Sequence, residues 1–424
     1  MLFRYYKKLK GFALFYAIVI ALIVMIICTF FILLSLFQNT QYSDIEINNR
    51  LVTNANSGFN ILLADTTSTF YSSKVIDLYG DNQDSVYLEK KTWGLYEVGI
   101  SRSFHKKKKF TKAGLIGQKS QLINQTALYL SDKNKPLALS GNTQIIGDCF
   151  LPKAGVKRAY IEGKSFKGDK LIHGTVKDSK SSLPQLDSSI IDHNLDLLTK
   201  NIDQLNIDYQ NWVTIPDSIF NSFNNEQVIY FSEAAIPIVQ NKIYGNIIVI
   251  SYEKVFIGNE TQLEDILVYA PTIEVEQGFR GVLQLFATDS IKISKKCTLN
   301  YPSTVCLIDD VETLNKPFGI IETDCKIMGS IVITESGSSL NKSSFMIKPN
   351  TIVLGQVYVN GNLFLKGNIT GNVSCKQFVL QTATSIYENH LVDVTIDIKR
   401  LPNYFLGNLI QSEHYKKGIA KQLF

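Results

Sequence analysis

The chain has 424 residues, 43 Lys plus Arg against 38 Asp plus Glu, a formal net charge of +5 and 45% hydrophobic residues. That is enough chain for two or three domains with a sizeable core. Four of the cations, Arg4, Lys7, Lys8 and Lys10, fall in the first ten residues. Without them the charge is close to balanced, which argues against nucleic acid as a primary partner.

From Gly11 to Phe37 every residue is apolar, small or uncharged, and no charge follows until Asp44. As a helix this run spans roughly 40 Å at ~1.5 Å per residue, more than the ~30 Å hydrocarbon core of a bilayer. A cleavable secretory signal has a shorter apolar core and a small-x-small site, whereas this run ends in SLFQNTQ. We therefore expect a single transmembrane helix over residues 11–37. Arg4, Lys7, Lys8 and Lys10 precede it and no Lys or Arg follows before Arg50, so the positive-inside rule sets residues 1–10 in the cytoplasm. The expected location is the cytoplasmic membrane, with the lipid bilayer as partner and the bulk of the chain facing the periplasm or cell surface.

The junction Lys10-Gly11-Phe12, with cations before it and a long apolar helix after it, resembles the leader of type IV pilins and type II secretion pseudopilins. Their leader peptidase cuts after that glycine, so the resemblance implies Gly11 and Phe12 as a processing site. Typical members carry Glu at the fifth mature position; here it is Tyr16, and loss of the acid is tolerated in the minor-pilin and tip-pseudopilin subgroup. RLVTNANSGFNILLAD, Arg50 to Asp65, resembles the Ser-Gly-containing helical stretch after the anchor in those tip proteins. The resemblance implies other pilin-like subunits as partners through the N-terminal helix.

Residues 38–75 read as a membrane-proximal helical stalk and 76–135 as a small β-rich unit. The latter carries the one dense basic run, HKKKKF, His105 to Phe110. We expect that run as a solvated loop or hairpin tip, with an anionic polymer or lipid headgroup contact as the alternative.

In 136–176, LALSGNTQIIGDCFL alternates apolar or small residues, Leu137, Leu139, Gly141, Thr143, Ile145, Gly147, Cys149 and Leu151, with a mostly polar set. The pattern returns in 228–395, most clearly in Thr351–Val373. There Val353, Gly355, Val357, Val359, Gly361, Leu363, Leu365, Gly367, Ile369, Gly371 and Val373 share one parity. A straight strand of that length would be roughly 70 Å long against the usual ~20 Å, so the chain must bend while keeping one side inward.

Gly141, Gly147, Gly355, Gly361, Gly367 and Gly371 fall on the inward parity, where a side chain would obstruct a corner. Short strands turning the same way make a parallel β-solenoid, and the predicted fold class is mainly β on that plan. Antiparallel hairpins are the alternative, since Asn360-Gly361 suits a type I′ turn. The segments Ile266–Val275, Leu283–Ile293 and Cys325–Ile333 read as further rungs. The late rungs resemble those of bactofilins and other polymer-forming β-solenoids, which implies architecture.

Between the two blocks, residues 177–227 read as a polar and helical insertion, with apolar residues at helical spacing over Ile190–Ile207. Residues 396–424 read as a C-terminal cap on the open end.

Chemistry is sparsely provided. His105, His173, His193, His390 and His414 sit in unrelated contexts, with no metalloprotease, nucleophile-elbow, Walker A or dinucleotide motif. Six cysteines, Cys28, Cys149, Cys297, Cys306, Cys325 and Cys375, have no zinc spacing. A Cys297–Cys306 disulfide and free buried thiols both remain open, while Cys149 and Cys375 share the inward parity and read as small hydrophobes. Asp309-Asp310 is the one notable acidic pair, with a calcium or sugar-cleavage role weighed against a plain loop.

No catalytic residue, metal or cofactor is predicted. The expected function is non-enzymatic: a minor-pilin or pseudopilin-like component of a type IV pilus or related secretion or uptake machine. The alternatives are an anchored scaffold or adhesin-like module binding cell-wall or surface polymer, and a membrane-tethered carbohydrate-active enzyme.

Overall fold

The computed structural model describes residues 12–423 apart from 66–68, 79, 81–83, 120–125, 206, 310–315, 335–341 and 410–415. Gly11, Arg4, Lys7, Lys8 and Lys10 therefore lie outside the described residues, as do Asp310 and His414.

Helix α1 runs unbroken from Phe12 to Ala64, 53 residues, or roughly 80 Å. Its sequence holds no proline and reaches its first glycine at Gly58, so nothing interrupts the i to i−4 ladder. The two ends differ in side-chain pattern. The N-terminal half is apolar all round and exposed, whereas from Leu51 onward a stripe of Leu51, Asn54, Ala55, Gly58, Phe59 and Leu62 at three- and four-residue spacing is buried. The helix ends before the expected stalk boundary at residue 75, because Lys74–Ile76 is already the first strand of a sheet.

That sheet is antiparallel and five-stranded. It contains β1 (Lys74–Ile76), β2 (Ser85–Trp93), β3 (Tyr96–His105), β4 (Lys108–Lys119) and, next to β4, a C-terminal strand Lys416–Leu423. The HKKKKF run is the β3–β4 hairpin, with Lys106 in the left-handed region at φ 53°. Phe59 of α1 packs against Gly99 of β3 and Gly114 of β4, where a Cβ would approach its ring to 3.2 and 3.0 Å. Residues 416–423, expected within a cap, thus pair with the antiparallel sheet and not with the strands of the stack. The open edge of β4 offers unpaired amides and carbonyls that this strand satisfies.

The rest of the chain is mainly a stack of short parallel strands in register, consistent with a solenoid, open at both ends and not a closed barrel. One inward ladder can be followed through it: Tyr230, Val249, Val268, Leu285, Val305, Ile331, Val357, Val373, then Leu128 and Cys149. All ten side chains belong to one apolar interior. The hairpin alternative at Asn360-Gly361 does not occur. Asn362–Leu365 pairs in parallel with Ser344–Ile347.

The order of rungs along the stack differs from their order in the sequence. The early block does not precede the late one; Leu128 and Leu130 pair directly with Val373 and Cys375. The strands at 390–392 and 395–397 then pair with 138–140 and 144–146. The late rungs would otherwise expose a strand edge, and the early block covers it. The chain leaves the far end after Val176–Asp178 and returns along the outside of the stack to begin again at Gln210.

This return path contains α2, Ser188–Thr199, capped by Asp187, which accepts from the Ser189 amide. Its buried Ile190, Leu197 and Leu198 cluster with outward residues of the stack including Ile250, Tyr269 and Phe286.

The strands Lys326–Ile333, Ile352–Leu365 and Asn368–Gln381 carry a ladder of glycines, Gly329, Gly355 and Gly371, paired rung to rung. Gly355 has φ +141°, and a Cβ there would lie 1.9 Å from the Gly329 carbonyl oxygen. No side chain fits while the rungs keep their spacing. Gly147 separates two short strands, and Gly141 occupies a turn after Leu137–Ser140. Gly361 lies where the register shifts between Val359 and Asn362, and Gly367 between the two long strands.

Candidate functional site: the bare half of α1 and its seat

The first half of α1 presents Phe12, Phe15, Tyr16, Ile20, Met25, Phe30, Phe31 and Phe37 to its surroundings, with Phe12 69% exposed. By length and composition this segment can cross a membrane. Tyr16 is one of these exposed side chains. Cys28 lies on the same segment.

The second half is held firmly. Gly58 lets the helix approach the sheet: a Cβ there would meet Ser101 Oγ, Val86 and Leu88 within 2.6–2.8 Å. Polar groups add direction to this apolar seat. Asp84, nearly buried, accepts from Asn54 Nδ2 at 3.0 Å and lies 2.7 Å from Arg50 Nε and 2.8 Å from His105 Nδ1. Lys108 of the hairpin reaches Asp44 at 2.6 Å, and Lys112 donates to Asn56 Oδ1 at 2.6 Å. The basic hairpin therefore lies along the helix close to the end of the apolar run.

At the end of α1, the fully buried Lys90 ammonium pairs with Asp65 at 2.6 Å. Beside it Tyr71 donates to Glu97 at 2.6 Å, and Lys417 of the C-terminal strand pairs with Glu97 at 3.0 Å. Burial first, and the Glu97 charge second, push the Tyr71 phenol far above its ordinary range.

The sheet is in turn fixed to the stack. The Gln284 side chain accepts from the Leu95 amide and donates to the Trp93 carbonyl, both at 3.0 Å. Asn194 of α2 donates to the Gly94 carbonyl at 3.1 Å and accepts from Tyr269 Oη at 2.7 Å. Lys421 bridges the C-terminal strand to Glu264 and Asp265 at 2.7 and 2.8 Å. Helix, sheet and stack are thus joined by polar contacts as well as by packing.

A groove of about 730 Å³ opens between residues 181–186, the start of α2 and the stack, lined by Ser131, Asp192, Thr334, Tyr358, Asn360 and Lys376 among others. It offers hydroxyl, amide, carboxylate and ammonium groups. The other sequence candidates are dispersed. His105 is bound to Asp84, His390 Nδ1 lies 2.6 Å from the Glu388 carbonyl, and burial lowers the His193 pKa. Asp309 is engaged by Lys316 at 2.8 Å, a paired loop carboxylate. Among the described residues no group of three or more His, Cys, Asp or Glu could hold a metal ion.

Cys149 and Cys375 lie in the apolar interior. Cys297 and Cys306 do not meet. Cys306 belongs to an outward ladder beneath α2, between Phe286 and Val332, while Cys297 faces the interior next to Cys325. Nine residues of spacing carries no information about rung stacking, whose offset here is 28 between Thr298 and Lys326. The Arg50–Asp84–His105 cluster was likewise invisible in the sequence, because its members become neighbours only when helix and hairpin dock.

No protein-family model matches this sequence, and neither the curated proteins nor the solved structures contain a match.

Proposed function

We propose that this chain is a membrane-anchored subunit that works by assembly and not by catalysis: a minor-pilin or pseudopilin-like component of a type IV pilus or related secretion or uptake machine. The bare half of α1 is held in lipid, and after removal of residues 1–11 it packs against the helices of like subunits. The solenoid-like stack faces away from the cytoplasm as the displayed part.

The observation that carries this reading is the division of α1. One continuous helix is apolar on every face for its first half and seated on an antiparallel sheet for its second. A bare apolar helix requires lipid or other helices around it, and a rigid seat transmits force between that helix and the displayed body. A second reading, a permanently anchored scaffold or adhesin-like module for cell-wall or surface polymer, draws on the polar groove beside α2.

The test is the N-terminal residue of the protein extracted from membranes of its native host, read by mass spectrometry in the wild type and in Gly11→Ala. A start at Phe12 in the wild type and an uncut chain in Gly11→Ala supports the first reading. An intact Met1 with undiminished function in both leaves the scaffold.

A further inference from the structure

Successive rungs of the stack enter the next strand through the same turn, and the residue that ends the turn stacks on its equivalent. Phe279, Cys297, Cys325 and Thr351 occupy this position, immediately before the paired residues Arg280, Thr298, Lys326 and Ile352. The preceding residue has positive φ each time: Gly278 at 88°, Lys296 at 61°, Asp324 at 64° and Asn350 at 61°. Cys297 and Cys325 are thus direct neighbours in adjacent rungs, joined by the Lys326 amide donating to the Cys297 carbonyl at 2.9 Å. Neighbouring strands lie ~4.8 Å apart, inside the ~4.4–6.8 Å window of Cα separations that disulfides span.

Each thiol donates to a carbonyl of the preceding turn, Cys297 to Glu276 at 3.1 Å and Cys325 to Ser294 at 3.0 Å. Thr351 makes the same bond to Glu322 at 2.7 Å. A hydroxyl therefore satisfies the turn as well as a thiol does, and hydrogen bonding alone gives no reason for cysteine at two consecutive rungs. We propose that Cys297 and Cys325 form a disulfide that staples these two rungs.

The two thiols also interact with each other, which holds Cys297 below its ordinary value and pushes Cys325 up. Exchange begins with either thiol, Cys297 for instance. Its thiolate attacks an external disulfide, supplied by a disulfide-carrying oxidoreductase or low-molecular-weight disulfide, and releases one thiolate. The Cys325 thiolate then attacks Cys297 Sγ and releases the second. The two protons of the protein thiols pass to the two released thiolates; two protein thiols are oxidised and one external disulfide is reduced. Both cysteines are buried in the finished stack, so exchange takes place as the second rung closes on the first. The oxidising surroundings rest on the outward orientation proposed above.

The test is peptide mapping of full-length protein, extracted under an alkylating agent without reductant. The expected result is a Cys297–Cys325 linked peptide two hydrogens lighter than its parts; alkylation of both residues overturns the disulfide. A parallel labelling of Lys107→Cys on intact cells with a membrane-impermeant thiol reagent separates the two readings. Label with free Cys297 and Cys325 overturns only the disulfide, whereas no label with free thiols overturns the disulfide and the outward orientation together. As a folded control, Cys297→Thr/Cys325→Thr keeps the Thr351-type hydrogen bond. Reductant lowers the unfolding midpoint of the wild type by on the order of 4 °C and leaves this variant unchanged; equal sensitivity of both also overturns the staple.

Discussion

Replacing Gly355 by alanine tests the rung spacing directly. Gly355 has φ +141°, a region alanine rarely adopts, and such strain costs about 1–3 kcal/mol. The new Cβ would lie 1.9 Å from the Gly329 carbonyl oxygen. That atom belongs to the backbone of a paired strand and cannot swing aside, so the rungs must part, at a further cost of about 1–3 kcal/mol. Gly278→Ala isolates the first contribution, because Gly278 has φ +88° and a Cβ added there would meet no atom within 4 Å.

For an extramembrane unit of roughly 350 residues, an unfolding entropy of ~2.1 cal/mol/K per residue gives ~1.4 °C per kcal/mol. Gly355→Ala should therefore lower the midpoint by about 6 °C and Gly278→Ala by about 3 °C. Thermal unfolding of the full chain in detergent, followed by far-ultraviolet circular dichroism, measures both. Equal losses in the two variants would refute the argument that the glycine ladder is dictated by close approach.

Phe59→Ala removes the ring that fills the space over Gly99 and Gly114 and should cost about 3–5 kcal/mol; faster amide exchange in residues 51–62 than in the stack would be the readout. Asp65→Ala strips the buried Lys90 ammonium of its carboxylate and should cost about 3–5 kcal/mol, whereas Lys90→Met should cost clearly less; chemical denaturation midpoints decide the order. A further prediction concerns pH. Lys164 first, then the Asn142 amide, hold the Asp393 carboxyl below its ordinary 3.8. The stability it contributes is complete above pH 3.8 and is lost as pH falls through the lower folded value. Solvent screening keeps the effect under about 1 kcal/mol. Wild type should therefore lose more stability than Asp393→Asn on going from about pH 5 to about pH 3, and identical urea profiles would contradict the pairing.

Much of the local structure was legible because it follows from repeating patterns. The residues from Phe12 to Phe37 hold no charge and no helix breaker, and all of them are helical. The alternation in Thr351–Val373 requires one side inward, and the strands there keep that parity through Gly355 and Gly371. The Asp-capped helix Ser188–Thr199, which takes up only the first part of the helical spacing read over Ile190–Ile207, is equally local, fixed by apolar spacing and by Asp187.

What remained hidden depended on which edge met which. Nothing in residues 126–130 states that they stack on 373–375, because any apolar-inward strand presents the same amides and carbonyls to its neighbour. Nor does anything in residues 416–423 state that they pair with β4. The same holds for side-chain groups: Arg50, Asp84 and His105, or Cys297 and Cys325, become neighbours through docking and rung offset. By itself, then, the sequence determined an apolar helix, an inward parity and the residues able to turn. Tertiary structure alone decided the order of the rungs, the seat of the helix and the meeting of the thiols, because backbone pairing is indifferent to sequence distance and only packing selects among equivalent edges.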